Sequence, residues 1–138
     1  MKKTIKYVAF FCLILIISFL ACNPDEDDTA DPGDPRDKYL GTWNVNETCN
    51  KANYQATITK DPSHSAQVLI SNFCNPGQGY APAYALVVGN TINVESQIIG
   101  DNWTVSGSGS YKNENLIQWS YTLVIAGSGE DCTADYTK

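Results

Sequence analysis

The chain has 138 residues, with 15 acidic against 9 basic side chains and a formal net charge of −6. That length holds one domain, and without a basic patch to meet phosphates it argues against nucleic acid as a partner. Its single histidine, His64, has no nucleophile or carboxylate placed around it by any motif, which argues against a hydrolase on the histidine-based plan.

Residues 1–21 follow the plan of a secretory signal. Lys2, Lys3 and Lys6 make a positive start, and Tyr7 to Ala21 is apolar apart from Ser18. The apolar run is short for a membrane span and ordinary for a signal. It ends in Phe19-Leu20-Ala21-Cys22, which resembles a bacterial lipobox through Ala21 and Cys22 and departs from it at Phe19 and Leu20. The resemblance implies cleavage before Cys22 and a lipid on its thiol, so that the mature chain is held to a membrane; the alternative is ordinary cleavage with Cys22 as a bystander. Residues 22–38 carry Pro24, Pro32, Pro35 and Gly33 among acidic side chains, with no apolar period. They read as a disordered tether, because nothing in them buries enough surface to offset chain entropy. Asp25-Glu26-Asp27-Asp28 resembles the acidic tag that sends lipoproteins to the outer face in one gram-negative phylum, and a plain solvated spacer is the equal reading. It lacks the ligand spacing and glycine turn of a calcium loop. Asp28-Thr29-Ala30 resembles the O-glycosylation acceptor of the same bacteria.

Residues 39–138 read as one all-β domain. Leu40 to Cys49 alternates, with Trp43, Val45, Glu47 and Cys49 on one face and Thr42, Asn44, Asn46 and Thr48 on the other. Seven further strands are predicted: about Tyr54–Lys60, Ser65–Phe73, Ala83–Val88, Ile92–Ile98, Trp103–Tyr111, Leu116–Ile125 and Cys132–Lys138. In the fifth, Ile92, Val94, Ser96 and Ile98 share a face. Turn residues separate the strands, among them Asp61-Pro62, Gly89-Asn90, Lys112-Asn113 and Gly127-Ser128-Gly129. Even spacing of this kind indicates a barrel or a sandwich. Short connections favour an antiparallel up-and-down meander of eight strands.

Closing such a meander pairs the first strand with the last. The end of strand one then meets the start of strand eight, which brings Cys49 against Cys132 on the covered face and leaves Cys74 over. Zinc on three thiolates would need all of them reduced, whereas an exported protein is oxidised, so a Cys49–Cys132 disulfide and no metal is the expectation. The same register sets Trp43 opposite Lys138. The turns after strands two, four and six fall at the end where the tether enters and are expected to be tight. The others, with the long 74–82 loop, form the far rim. Gly107 and Gly109 lie inside a strand pattern and are read as points of bending.

Gly41-Thr42-Trp43 resembles the Gly-x-Trp that opens the first strand of lipocalins, fatty-acid-binding proteins and avidins, the calycin barrels. The Glu47-x-Cys49 ending, Gly107-Ser108-Gly109 and Cys132 in the last strand make the pattern similar to small lipocalin-like outer-membrane lipoproteins of gram-negative bacteria. The resemblance covers Tyr39 to Lys138. It implies a lipocalin-like barrel, anchored through Cys22 and facing outward, with Lys138 in the place of the basic side chain that covers the lipocalin tryptophan.

Two functional classes follow. One is a non-enzymatic binding module for a small apolar or aromatic ligand at the far rim, with Tyr80 and Tyr84 as contacts and Glu47 as the charged contributor. Glu47 has a second reading, as a wet rim residue beside the seam. Trp119, Tyr121, Tyr84, Trp103 and Tyr54 either line such a pocket or simply form core. The other class is an interaction protein with a filled core, such as an envelope component or an enzyme inhibitor. For that class Ser108-Gly109-Ser110-Tyr111 loosely resembles the Ser-Gly-x-x-Tyr of lysozyme-inhibitor lipoproteins, one position out. No catalytic residue and no cofactor is expected.

Overall fold

A computed structural model describes residues 33–49 and 53–138. The expected signal, the Cys22 lipidation site, the Asp25–Asp28 cluster and Thr29 lie outside the described residues. Eight antiparallel strands close into a barrel in sequence order: β1 (Gly41–Glu47), β2 (Asn53–Lys60), β3 (Gln67–Ser71), β4 (Ala83–Val88), β5 (Thr91–Ile99), β6 (Trp103–Asn113), β7 (Leu116–Ile125) and β8 (Ser128–Thr137). Period-two alternation produces this directly, since every second side chain points into the barrel. Along β1, Trp43, Val45 and Glu47 are buried while their neighbours are exposed, and along β7 Ile117, Trp119, Tyr121 and Leu123 are buried.

The seam is the β1–β8 pair. Asn44 faces Thr137 and Glu47 faces Ala134, a register that sets Trp43 against Lys138 as expected. Beyond the ladder the Thr48 hydroxyl donates to the Thr133 carbonyl at 3.1 Å and accepts from the Thr133 amide at 2.9 Å. Cys49 and Cys132 are joined by a disulfide, with Cα atoms 5.4 Å apart, and Cys74 is a buried free thiol. The sandwich alternative is excluded by the closed strand order.

Two strands depart from plain alternation. In β5 the partner of Val94 is Gly107 and that of Gln97 is Val105, so β5 carries one extra residue there, a β-bulge. The bulge reverses the parity beyond it. Ile98, expected on the covered face, is 68% exposed, and Ile99 is buried. Pairing of β4 with β5 runs only from Leu86 to Val88 on β4. The Gln97 side-chain amide continues it, accepting from the Tyr84 amide at 2.9 Å and donating to the Tyr84 carbonyl at 2.8 Å. β3 stops at Ser71, short of the expected Phe73, because Asn72 takes a left-handed conformation (φ 62°).

Gly107 and Gly109 serve close approach. They pair with Tyr121 and Trp119, whose side chains lie over β6. A Cβ on Gly109 would stand 2.7 Å from Trp119 Cε2 and 2.8 Å from Ile92 Cγ2, and one on Gly107 would stand 2.4 Å from the Tyr121 Cα. Replacing Gly109 with Ala is therefore expected to destabilise the barrel by about 1–3 kcal/mol. Gly107→Ala should do more damage, since the atoms in its way are backbone. Urea midpoints would measure both, and a loss below roughly 0.5 kcal/mol would mean that the rings slide aside.

The tether end is closed by a segment expected to be disordered. Gly33 to Lys38 belongs to the same compact unit as the strands, Gly33–Lys138. Arg36 forks onto the Asp34 carboxylate at 2.6 and 2.9 Å and donates to the carbonyls of His64 and Gln67 at 3.1 and 3.2 Å. Those bonds tie the segment to the first residue of β3 and to the β2–β3 connection, residues 61–66, which is longer than the tight turn expected. Arg36 and Lys60 together hold the Asp34 carboxyl well below the usual carboxylate range. The following 3₁₀ turn, Asp37–Tyr39, carries a fully buried Tyr39 whose ring meets Tyr111 edge-on at 5.5 Å. Trp43 sits beneath it, donating its indole N–H to the Tyr39 carbonyl at 2.8 Å. Lys138 Nζ lies 4.2 Å from the Trp43 ring centroid and donates to the Leu40 carbonyl at 2.9 Å.

Candidate functional site

At the opposite end, the chain leaving β3 turns back into the barrel. Asn72, Cys74 and Asn75 all have positive φ, at 62°, 61° and 55°. Asparagine tolerates that region and cysteine does so at a cost. The reversal drives Phe73 and Cys74 inward, 2% and 0% exposed. The Phe73 ring meets Trp119 at 5.0 Å and Tyr121 at 5.3 Å between centroids. Phe73 thus plugs the far end with a ring where the tether end uses Tyr39.

Beneath this plug lies a polar cluster. Glu47, on the covered parity at the end of β1, is 1% exposed, which corrects the reading of it as a wet rim residue. Its carboxylate accepts a hydrogen bond from the Tyr54 hydroxyl at 2.8 Å. The Tyr121 hydroxyl lies near the Glu47 carboxylate, and the Tyr136 hydroxyl lies near that of Tyr54. Trp119 Nε1, Tyr121 Oη and Tyr136 Oη are buried with no hydrogen-bond partner among the described residues. Burial of a polar group without a bond costs about 1–3 kcal/mol, so a cluster of such atoms is unusual in a barrel core.

The thiol and phenol groups of the cluster all shift in one direction. Burial pushes the Cys74 thiol up, and the Glu47 charge pushes it further. Tyr54, Tyr121 and Tyr136 are raised first by burial, with Glu47 adding to each. All four groups therefore stay neutral at ordinary pH, around one carboxylate. A Glu47 oxygen and the sulfurs of Cys49 and Cys132 lie within 4.8 Å of one another. With those two cysteines bonded to each other, the trio is not a thiolate metal site.

Several clefts lie on the outside, among them one of about 410 Å³ lined by Asn44, Asn46, Asn53, Tyr54 and Thr137. One of about 300 Å³ opens at the far rim and is lined by Cys49, Leu123, Ile125, Ser128 and Glu130, so the disulfide, whose sulfurs lie within 4.8 Å of a Glu47 oxygen, forms part of its wall. Another, of about 330 Å³, runs along the outer face from Gln55 and Thr57 to Gly79 and Tyr80. A further one, of about 350 Å³, lies between Asp61, His64, Leu69 and Tyr84.

The expected contacts are therefore dispersed. Glu47 faces the interior, Tyr84 stands on the outer face opposite Leu69, and Tyr80 borders the outer cleft beside Asp101, whose carboxylate raises it. Of the candidate aromatics, Tyr54 and Tyr121 do gather around Glu47, and Trp119 packs against Phe73 and Tyr136. Sequence reasoning missed Phe73, Cys74 and Tyr136. Tyr136 was readable from its parity with Cys132 and Ala134. For Phe73 the available signal was an apolar pair flanked by Asn72 and Asn75, residues that permit a left-handed turn. His64 is exposed, with Nδ1 2.9 Å from Asp61 Oδ2, as expected of a turn residue.

No family model matches the sequence, and no curated protein matches it. Solved structures do resemble the barrel. A redesigned β-barrel, mFAP1, bound to DFHBI, aligns over 76% of this chain and 99% of its own with a TM-score of 0.54 at 16% identity. EF1p2_mFAP2b bound to DFHBI aligns over 76% and 97%, with a TM-score of 0.52 at 13% identity. At such identities the likeness is one of fold, the closed lipocalin-like barrel.

Proposed function

We propose that this chain is a non-enzymatic binding module, a small barrel held to the outer membrane by lipid on Cys22 and facing outward, which takes a small apolar or aromatic molecule at its far end. The observation that carries the binding reading is the far-end cluster, where buried hydroxyl and indole donors lack partners beneath a loop-borne ring. A core built only for stability does better with apolar side chains in those places. That two barrels of similar fold hold DFHBI supports the same capacity here. The anchoring rests on the lipobox resemblance of Ala21-Cys22 and on the acidic run Asp25–Asp28.

The rival reading, an interaction protein or inhibitor with a filled core, is favoured by Phe73 and Cys74 occupying the interior. Native mass spectrometry of the purified domain incubated with a lipid and aromatic extract separates the two. A stoichiometric small molecule, lost when Tyr54 and Tyr121 are both changed to Phe, is the expected result. No adduct would leave the filled-core reading.

A further inference from the structure

We propose a second binding surface, on the outer wall of the barrel and independent of the far-end cluster: a furrow over β1 and β2 that takes a neutral oligosaccharide. Its floor is a row of three outward side chains set by strand register. Asn44 faces Thr137 of β8 on one side and Gln55 of β2 on the other. All three are exposed, and side chains paired in this way stand about 5 Å apart. Over the row lies the cleft of about 410 Å³, and Gln55 also lines the cleft of about 330 Å³ that runs on to Tyr80. The two meet at Gln55 and make one path across β8, β1 and β2 to the 72–80 loop.

The chemistry of that path selects its occupant. Every described side chain lining either cleft is uncharged, whereas the rim cleft carries Glu130 and the remaining one Asp61 and His64. A surface meant only to be solvated ordinarily mixes in charges, at about a quarter to a third of its positions. The carboxylate that the register brings beside the row, Asp135 opposite Asn46, accepts from Gln118 Nε2 at 3.4 Å on the β7 side and lines neither cleft. A polyanion would find no cation here. The path offers amides and hydroxyls instead. Gln55 Nε2 donates to Asn44 Oδ1 at 3.2 Å, which orients both groups and leaves the Gln55 oxygen and the Asn44 nitrogen turned to a ligand. An amide sets an acceptor beside a donor, and two neighbouring sugar hydroxyls give and take in the same way.

The loop end of the path supplies a flat ring for the C–H face of a sugar. Tyr80 is 40% exposed. Its ring lies over Gly77, where a Cβ would stand 3.7 Å from Tyr80 Cε2. Asn72 pins that loop to the floor, donating to the Gln55 carbonyl at 2.9 Å and accepting from the Gly77 amide at 3.4 Å. The surface is thus preformed, and little ordering opposes binding.

Isothermal titration calorimetry and saturation-transfer NMR on the purified full chain test this with cellohexaose, maltohexaose and xylohexaose, against hexagalacturonate as the charged comparison. At least one neutral hexamer should bind about tenfold or more tighter than its own disaccharide, because only the longer chain crosses both clefts. It should also bind tighter than hexagalacturonate. Asn44→Ala combined with Gln55→Ala, and separately Tyr80→Ala, should each weaken that hexamer about fivefold or more. Val88→Ser, at a 60% exposed position on β4 outside the furrow, should leave its affinity unchanged. So should Tyr121→Phe, which alters the far-end cluster inside the barrel, so that the two sites stand or fall separately. Urea midpoints equal to the wild type confirm that the surface variants are folded. No binding of any neutral hexamer at millimolar concentration overturns the proposal, as does an affinity unmoved by the furrow variants. Tighter binding of hexagalacturonate overturns the neutral assignment, and a hexamer lost on Tyr121→Phe overturns the outer location.

Discussion

Replacing both Cys49 and Cys132 with Ala is expected to destabilise the barrel by about 4 kcal/mol, within the usual 2–5 kcal/mol for a native disulfide in a small domain. The bridge spans 83 positions in sequence, so its loss frees most of the unfolded domain from a constraint. It also unpins the seam. Along β1 and β8 the ladder runs only from Asn44 to Glu47, whereas β7 and β8 pair from Leu116 to Ile125. An all-β domain of this size is stable by about 5–15 kcal/mol in total, so the variant should melt far lower and populate unfolded chain at modest urea. Urea unfolding checks it in two ways. The midpoint should fall and the slope should rise, because an unbridged denatured chain exposes more surface. A loss below about 1 kcal/mol would mean that the Thr48–Thr133 bonds and the Trp43–Lys138 contact close the seam unaided.

Trp43→Ala is the other large effect, expected to cost about 3–5 kcal/mol. The indole is fully buried and is bonded on one side and covered on the other. Its N–H satisfies the Tyr39 carbonyl, and Lys138 lies over its face while bonding Leu40. Removing it leaves a cavity, orphans a carbonyl and loosens the turn that seals the tether end. Trp43→Phe separates these contributions. It retains most of the packing and loses the hydrogen bond, for about 1–2 kcal/mol. Lys138→Met should cost about 0.5–1 kcal/mol, the range of an exposed cation–π contact. If Trp43→Ala cost no more than Trp43→Phe, the turn would have collapsed onto the gap. Amide exchange at Tyr39 and Leu40 would then show it.

These two sites lie at opposite ends of the same seam, and both follow from one piece of register arithmetic. Once β1 pairs with β8, Trp43 must face Lys138 and Cys49 must face Cys132. That pairing was legible because both strands alternate cleanly and their ends carry the distinctive residues. The candidate binding site was legible only in part. Glu47 and Tyr121 were visible as inward-facing positions, yet whether the barrel's end was wet or sealed depended on a loop that has no periodicity.

What the amino-acid sequence determined by itself is the eight-strand meander, its closure, the disulfide and the burial of Trp43, because period-two alternation and antiparallel pairing are local rules that propagate from strand to strand. The tertiary structure alone decided the rest. An extra residue in β5 reverses the parity that carried Ile98 to the covered face and brings Ile99 inside instead. Left-handed backbone at Asn72 and Cys74 turns Phe73 into the barrel, where the clearance left by Gly107 and Gly109 has let Trp119 and Tyr121 receive it. Arg36 ties down a segment whose composition reads as disordered, through carbonyls on a connection about thirty residues away. Each of these depends on groups distant in sequence meeting in space, and a rule that reads neighbours cannot reach them.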